Sequence, residues 1–146
     1  MRSLKHRVRI ARRLSWRDWL VLGEAWGRLL YYSLALRRTS FERLESSIHI
    51  TPKVVIGPTC GLDLARRLQR LVGYASQLHL LPMTCLVRTL ALQWMLGKRG
   101  TPSQVRIGAS RSETGMNAHA WLEVGGQTVG EPEEVSERFK VLSSAG

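Results

Sequence analysis

"PMTCLVRTLALQWML", residues 82–96, sets a cysteine at the start of an apolar run. Pro82 breaks the chain ahead of it, Thr84 carries the hydroxyl of an N-cap, and Gly97, Lys98, Arg99 and Gly100 end it. From Cys85 to Leu96 nearly every side of a helix would be apolar. A helix that is hydrophobic all round is a buried one. The stretch therefore predicts a central helix on which the rest of the domain packs, with Cys85 as its first residue.

Upstream, "LDLARRLQRLVGYASQL", residues 62–78, puts Leu62, Ala65, Leu68 and Leu71 or Val72 on one stripe, with Arg66, Arg67 and Arg70 mostly elsewhere. It predicts an amphipathic helix. Before it, "ESSIHITPKVVIGPTCG", residues 45–61, is punctuated by Pro52, Gly57, Pro58 and Gly61 and reads as a linker. Residues 40–46 predict a helical turn or two. Further back, Ser15 and Asp18 have the spacing of a capping box, and Trp16, Trp19, Leu20, Leu22, Trp26, Leu29 and Leu30 recur at near-helical intervals. That predicts a helix over about 16–36.

Downstream, "SQVRIGAS", "NAHAWLEV" and "QTVGE" are short runs with alternating or β-branched residues, separated by "RSETGM" and by Gly125-Gly126. They predict a small antiparallel sheet. The fold class expected is α+β.

The 146 residues suit one domain with enough apolar content for a core. The formal charge of +11 is concentrated near the start, where residues 1–43 carry eleven Lys or Arg against Asp18, Glu24 and Glu42. Such a region attracts nucleic acid, an anionic membrane or an acidic protein without choosing among them. The apolar stretch 19–36 is interrupted by Glu24 and Arg28, charges that are costly in lipid, and no cleavage signal follows it. A soluble cytoplasmic protein is expected, with no membrane span. Two cysteines, Cys60 and Cys85, stand 25 apart with no C-x-x-C, which suggests neither a disulfide framework nor a zinc ribbon.

What, then, is a thiol for at a helix N-terminus? Thiolate, not thiol, is the nucleophile. Unpaired N–H groups and the positive end of the helix dipole favour the anion there, and the same N–H groups can bind an oxyanion forming beside the sulfur. The plainer reading is a small core hydrophobe. A nucleophile also needs a base, and His119 stands 34 residues on, in a strand. Alternation puts His119, Trp121 and Glu123 on one face and Ala118, Ala120, Leu122 and Val124 on the other.

A third member would accept the imidazole N–H. Glu131 lies twelve residues past His119. A three-residue hairpin loop sets it opposite His119, whereas a two-residue Gly125-Gly126 turn pairs it with Ala120 unless a bulge intervenes. Alternatively, Glu131 only begins the acidic run "EPEEVSE". Glu123 is the rival, about 7 Å along the same strand from His119, which suits a supporting role. Arg88, one turn after Cys85, lines a site, pairs with a carboxylate or is merely solvated; Trp121 is a substrate wall or packing. Trp94 and Met95 are core at helical spacing. His6, His49 and His79 lack partners at metal spacing, so no metal site is expected, and Cys60 reads as a structural thiol.

With "PMTCLVRTLALQWMLGKRG", "QVRIGAS" and "NAHAWLEVGGQTVGE" taken in order, residues 60–135 resemble the standalone B2 proteins of lasso peptide biosynthesis, whose core is a transglutaminase-like, papain-like cysteine peptidase. The resemblance implies a central helix packed on a small antiparallel sheet over residues 59–146; the basic helical region read over 1–58 precedes it and carries no motif of the family. It implies leader removal from a ribosomally made precursor peptide, with a leader-binding B1 protein presenting the substrate and an ATP-dependent lasso cyclase as a further partner. No cofactor is implied. Cys85 matches the nucleophile, His119 the base, and Glu131 a position usually filled by Asp. Two alternatives stay open: a transamidase or acyltransferase on the same Cys-His site, and a basic nucleic-acid-binding protein, for which no recognition motif is found.

Overall fold

The computed structural model describes residues 14–40, 43, 58–81, 83–113, 115–130 and 139–145. The basic arm 1–13, most of the expected helical turn at 40–46, Pro82 and Glu131 lie outside them.

Among the described residues the order is α1 (Trp16–Arg38), α2 (Pro58–Leu78), α3 (Cys85–Lys98), β1 (Gln104–Ser112), β2 (Gly115–Val124), β3 (Gln127–Val129) and β4 (Lys140–Ala145). The helices pack on one another and α3 lies against β2 of an antiparallel sheet with strand order β3-β2-β1-β4. This is the α+β arrangement expected.

Helix α1 starts where its capping box says. The Ser15 hydroxyl accepts from the Asp18 N–H, and the Asp18 carboxylate accepts from the Ser15 N–H at 3.0 Å. Leu22, Ala25, Leu29 and Tyr32 are its buried stripe, and they join Leu68, Val72 and Ala75 of α2 and Leu90, Met95 and Leu96 of α3 in one core. Each buried leucine contributes about 1.5–3 kcal/mol relative to exposure. Glu24, part of the charge interruption in that stretch, receives Lys98 at 2.9 Å and the guanidinium of Arg99, which pins α1 to the end of α3. Burial pushes the Glu24 carboxyl up, but the Arg99 and Lys98 hydrogen bonds outweigh it and hold the group below its ordinary value. Arg28 instead lies over the Trp94 ring, 3.3 Å from its centroid, so Trp94 is partly covered by a cation while Met95 is core.

Two boundaries differ from expectation. Helix α2 begins at Pro58, not Leu62, so residues read as loop punctuation form its first turn. Proline is at home in a first turn, where its missing N–H has no partner to lose. Gly61 packs closely there: a Cβ would meet the Thr101 methyl at 3.0 Å. Strand β4 extends the sheet past the runs recognised in the sequence and pairs with β1 around an irregularity between Ile107 and Gly108.

Candidate active site

Thr84 caps α3 with extended backbone (φ −73°, ψ 161°), and its hydroxyl accepts from the Val87 N–H at 3.3 Å. The Arg88 N–H donates to the Thr84 carbonyl at 3.2 Å, the first helical bond. Helix geometry leaves the amides of Cys85 and Leu86 with no acceptor inside α3. Cys85 is thus the first helical residue, as its position after the cap predicts.

The half-buried Cys85 lines a cavity of about 70 Å³. Its polar and aromatic walls are Gln69 from α2, Arg88 and Thr89 from α3, and Trp121 from β2, with Ala120 beside them. Arg88 is exposed at this cavity, one turn from the cysteine. Thr89, buried, joins helix to sheet: its hydroxyl lies 2.8 Å from the Cys85 carbonyl and 3.3 Å from the Ala120 carbonyl.

The face assignment read from alternation holds. Leu122 and Val124 belong to the core under the helices, whereas Trp121, 1% exposed, lies outside that cluster and donates from Nε1 to Glu123 at 3.2 Å. The other Glu123 oxygen receives Arg106 Nε at 3.0 Å. Both carboxylate oxygens of Glu123 are engaged in this way, which suits the supporting role. His119 is half-buried, its ring centroid 6.2 Å from that of Trp121 and 5.3 Å from that of Phe139. Gly108 is its cross-strand partner, and only glycine fits there: a Cβ would meet Phe139 at 2.7 Å and the Trp121 ring at 3.0 Å.

The structure therefore carries Cys85 to the strand that bears His119, and the chain neighbours of His119, Ala120 and Trp121, share the cysteine's cavity. The imidazole itself is not in that lining; the Trp121 and Phe139 rings on the Trp121 side of β2 are among its neighbours. Strand β3 pairs only with Leu122 to Val124, so among the described residues β2 has no ladder partner on that side from Trp121 back to Gly115. The cavity lies at this edge.

The three-residue loop that would set Glu131 opposite His119 is not formed. Val124 pairs with Gln127 across Gly125 (φ 58°) and Gly126 (φ 79°), a two-residue turn of the type that needs positive φ at both positions. Gly130 then takes φ 75°, the conformation of a residue that opens a bulge. Glu131 itself lies outside the described residues.

Cys60, read as a structural thiol, is exposed in the first turn of α2. His79 stacks on Trp26 with ring centroids 4.4 Å apart, and its Nε2 lies 2.8 Å from the Trp26 carbonyl. No group of three or more His, Cys, Asp or Glu among the described residues is placed to hold a metal. No helix among them is long and apolar enough to cross a membrane. Sequence reasoning missed Thr89, Gln69 and Phe139 as neighbours of the site. Thr89 had a signal, a hydroxyl one turn after the cysteine in an otherwise apolar run; the other two had none.

A match to the transglutaminase-like superfamily runs over residues 28–144, from within α1 to β4. No curated protein and no solved structure is found to match the chain. The matched span contains Cys85 at its capped helix start and the strand that carries His119. The chain belongs to the transglutaminase-like superfamily, whose members usually carry cysteine peptidase or transglutaminase activity.

Proposed function

We propose that the protein is a cysteine peptidase that removes the leader from a ribosomally made lasso precursor peptide, with Cys85 as nucleophile and His119 as general acid and base. The observation that carries this reading is the cysteine at the first position of a capped helix, in a cavity whose far wall is the strand of His119. The reading of the core as papain-like rests on the same helix-on-sheet placement.

In this mechanism the Cys85 thiolate attacks the carbonyl carbon of the leader–core bond, and the carbonyl electrons move to oxygen. The Cys85 amide, facing out of the helix end, stabilises that oxyanion. Collapse expels the core amine, which takes a proton from the His119 imidazolium, and leaves the leader as a thioester. His119 then removes a proton from water as it attacks the thioester, and the leader acid departs. Arg88 and Trp121, both in the cavity lining, hold substrate, and Glu123 steadies Trp121. Glu131 is the proposed third member.

Exposed Trp16, Trp19 and Leu20 on α1, next to Arg17 and shortly after the basic residues 1–13 in sequence, form the proposed docking face for the leader-binding B1 partner or an acidic leader.

The superfamily match covers transfer as well as hydrolysis, so the same thioester yielding to an amine, a transamidase, is the second reading. Mass spectrometry of precursor incubated with the protein and the leader-binding partner separates them. Hydrolysis gives two peptides whose masses sum to precursor plus one water. An adduct joining leader to an amine would contradict the peptidase reading.

A further inference from the structure

We propose that Arg88 gives the Cys85 site a preference for acidic substrates: its guanidinium takes the carboxylate of an Asp or Glu side chain on a residue flanking the scissile bond. The proposal rests on the reading of Cys85 as nucleophile and names the chemical class of peptide that this site accepts. Residues three apart on a helix share one face, with Cβ atoms about 5–6 Å apart, and every Cα–Cβ bond leans toward the N-terminus. The Arg88 side chain therefore sets out from α3 toward the turn that Cys85 opens, and both residues line the same cavity.

Arg88 brings the positive charge to that lining, and among the described residues no carboxylate shares the wall. The remaining polar groups are neutral, and two of them are engaged within the protein. The Thr89 hydroxyl lies against the Cys85 and Ala120 carbonyls, and the Trp121 indole donates to Glu123. The ion pairs among the described residues take up Arg66, Arg67, Lys98, Arg99 and Arg106, and none of them involves Arg88. In a recess walled partly by Val72, Leu92, Leu122 and Val129, the field of an unmatched cation is screened less than on open surface. A carboxylate entering there meets a planar fork of N–H donors that fits its two oxygens. A leader–core bond is internal to its chain, so the carboxylate is a side chain and not a chain end.

The test uses two alkylating reagents of similar size, iodoacetate and iodoacetamide, on full-length protein carrying Cys60→Ser so that Cys85 is the one thiol. With either, an Sγ–carbon bond forms as the carbon–iodine bond breaks and iodide leaves with the electron pair; iodoacetate alone brings a carboxylate. Dividing one rate by the other cancels any change in the thiolate itself. Arg88→Met is expected to lower the iodoacetate-to-iodoacetamide ratio by about tenfold, the scale of one hydrogen bond to a charged group. Arg88→Gln serves as a second variant should the first lose its cooperative melting transition. Arg70→Met, which removes a cation of α2 that lies outside the lining, should leave the ratio within twofold. An unchanged ratio in the Arg88 variants would overturn the proposal, and so would both rates falling in step, since Arg88 would then act on the sulfur. An equal drop with Arg70→Met would overturn it too, because the overall positive charge would be the cause. A parent protein whose Cys85 reacts with neither reagent would instead overturn the nucleophile reading on which this rests.

Discussion

Thr89 on α3 and Ala120 on β2 are joined by a hydroxyl-to-carbonyl hydrogen bond of 3.3 Å, and the same hydroxyl lies 2.8 Å from the carbonyl of Cys85. One buried side chain thus spans from the peptide of Cys85 to the residue that follows His119. Thr89→Val keeps the shape and removes the bond. It is expected to cost about 1–3 kcal/mol by urea unfolding, since the Ala120 carbonyl loses its partner in a buried place. Turnover should fall more than stability alone explains, and Thr89→Ser should recover most of both.

Gly108 is where the aromatic face of the sheet closes. Adding one methyl puts carbon 2.7 Å from Phe139 Cβ and 3.0 Å from the Trp121 ring, and His119 is the cross-strand partner. Gly108→Ala should destabilise by about 1–3 kcal/mol through overpacking, read as a lower melting temperature. Activity should drop even at temperatures where the variant stays folded.

Glu24 makes stability depend on pH in a defined direction. Its carboxyl is held below the ordinary value of 4.5: burial works against ionisation, but Arg99 and Lys98 outweigh it. A depressed carboxyl contributes stability above its unfolded value and loses it as pH falls through the folded one. Wild type should therefore exceed Glu24→Gln by about 1 kcal/mol near neutral pH, and the gap should close as pH falls below 4.5. A gap that persists at low pH would mean that Glu24 acts through packing.

Trp16 is 69% exposed and Trp19 48%. Replacing both by alanine should leave the melting temperature within a degree or two, because neither is in the core, yet weaken binding of the leader-binding partner. Titration of the partner at rising salt checks the accompanying claim: affinity that ignores ionic strength would argue against a basic docking face.

The fold was legible wherever a local rule agreed with the tertiary packing. Thr84 and Ser15 mark the starts of their helices, and the alternation in "NAHAWLEV" gives the two faces of β2 correctly. The start of α2 was not legible, since Pro58 and Gly61 signal a break locally and only Thr101, forty residues later, explains the glycine. β4 was hidden because "KVLSSA" follows an acidic run and shows little alternation; pairing with β1 makes it a strand. In the site, Cys85 announced itself by its cap. Glu131 depended on one residue of register, and the two-residue turn at Gly125-Gly126 set that register against the direct pairing. Gln69 gave no sign, because on an amphipathic helix a glutamine beside arginines looks like any solvated residue.

The most direct measurement of the central claim is leader removal from precursor peptide, with the leader-binding partner present, by wild type, Cys85→Ala and His119→Ala, each first shown to melt cooperatively. Both variants should lose turnover by at least about 1000-fold, the scale on which members of a catalytic unit fail singly. Cleavage at the wild-type rate by either one would contradict a reaction run by that sulfur and that imidazole.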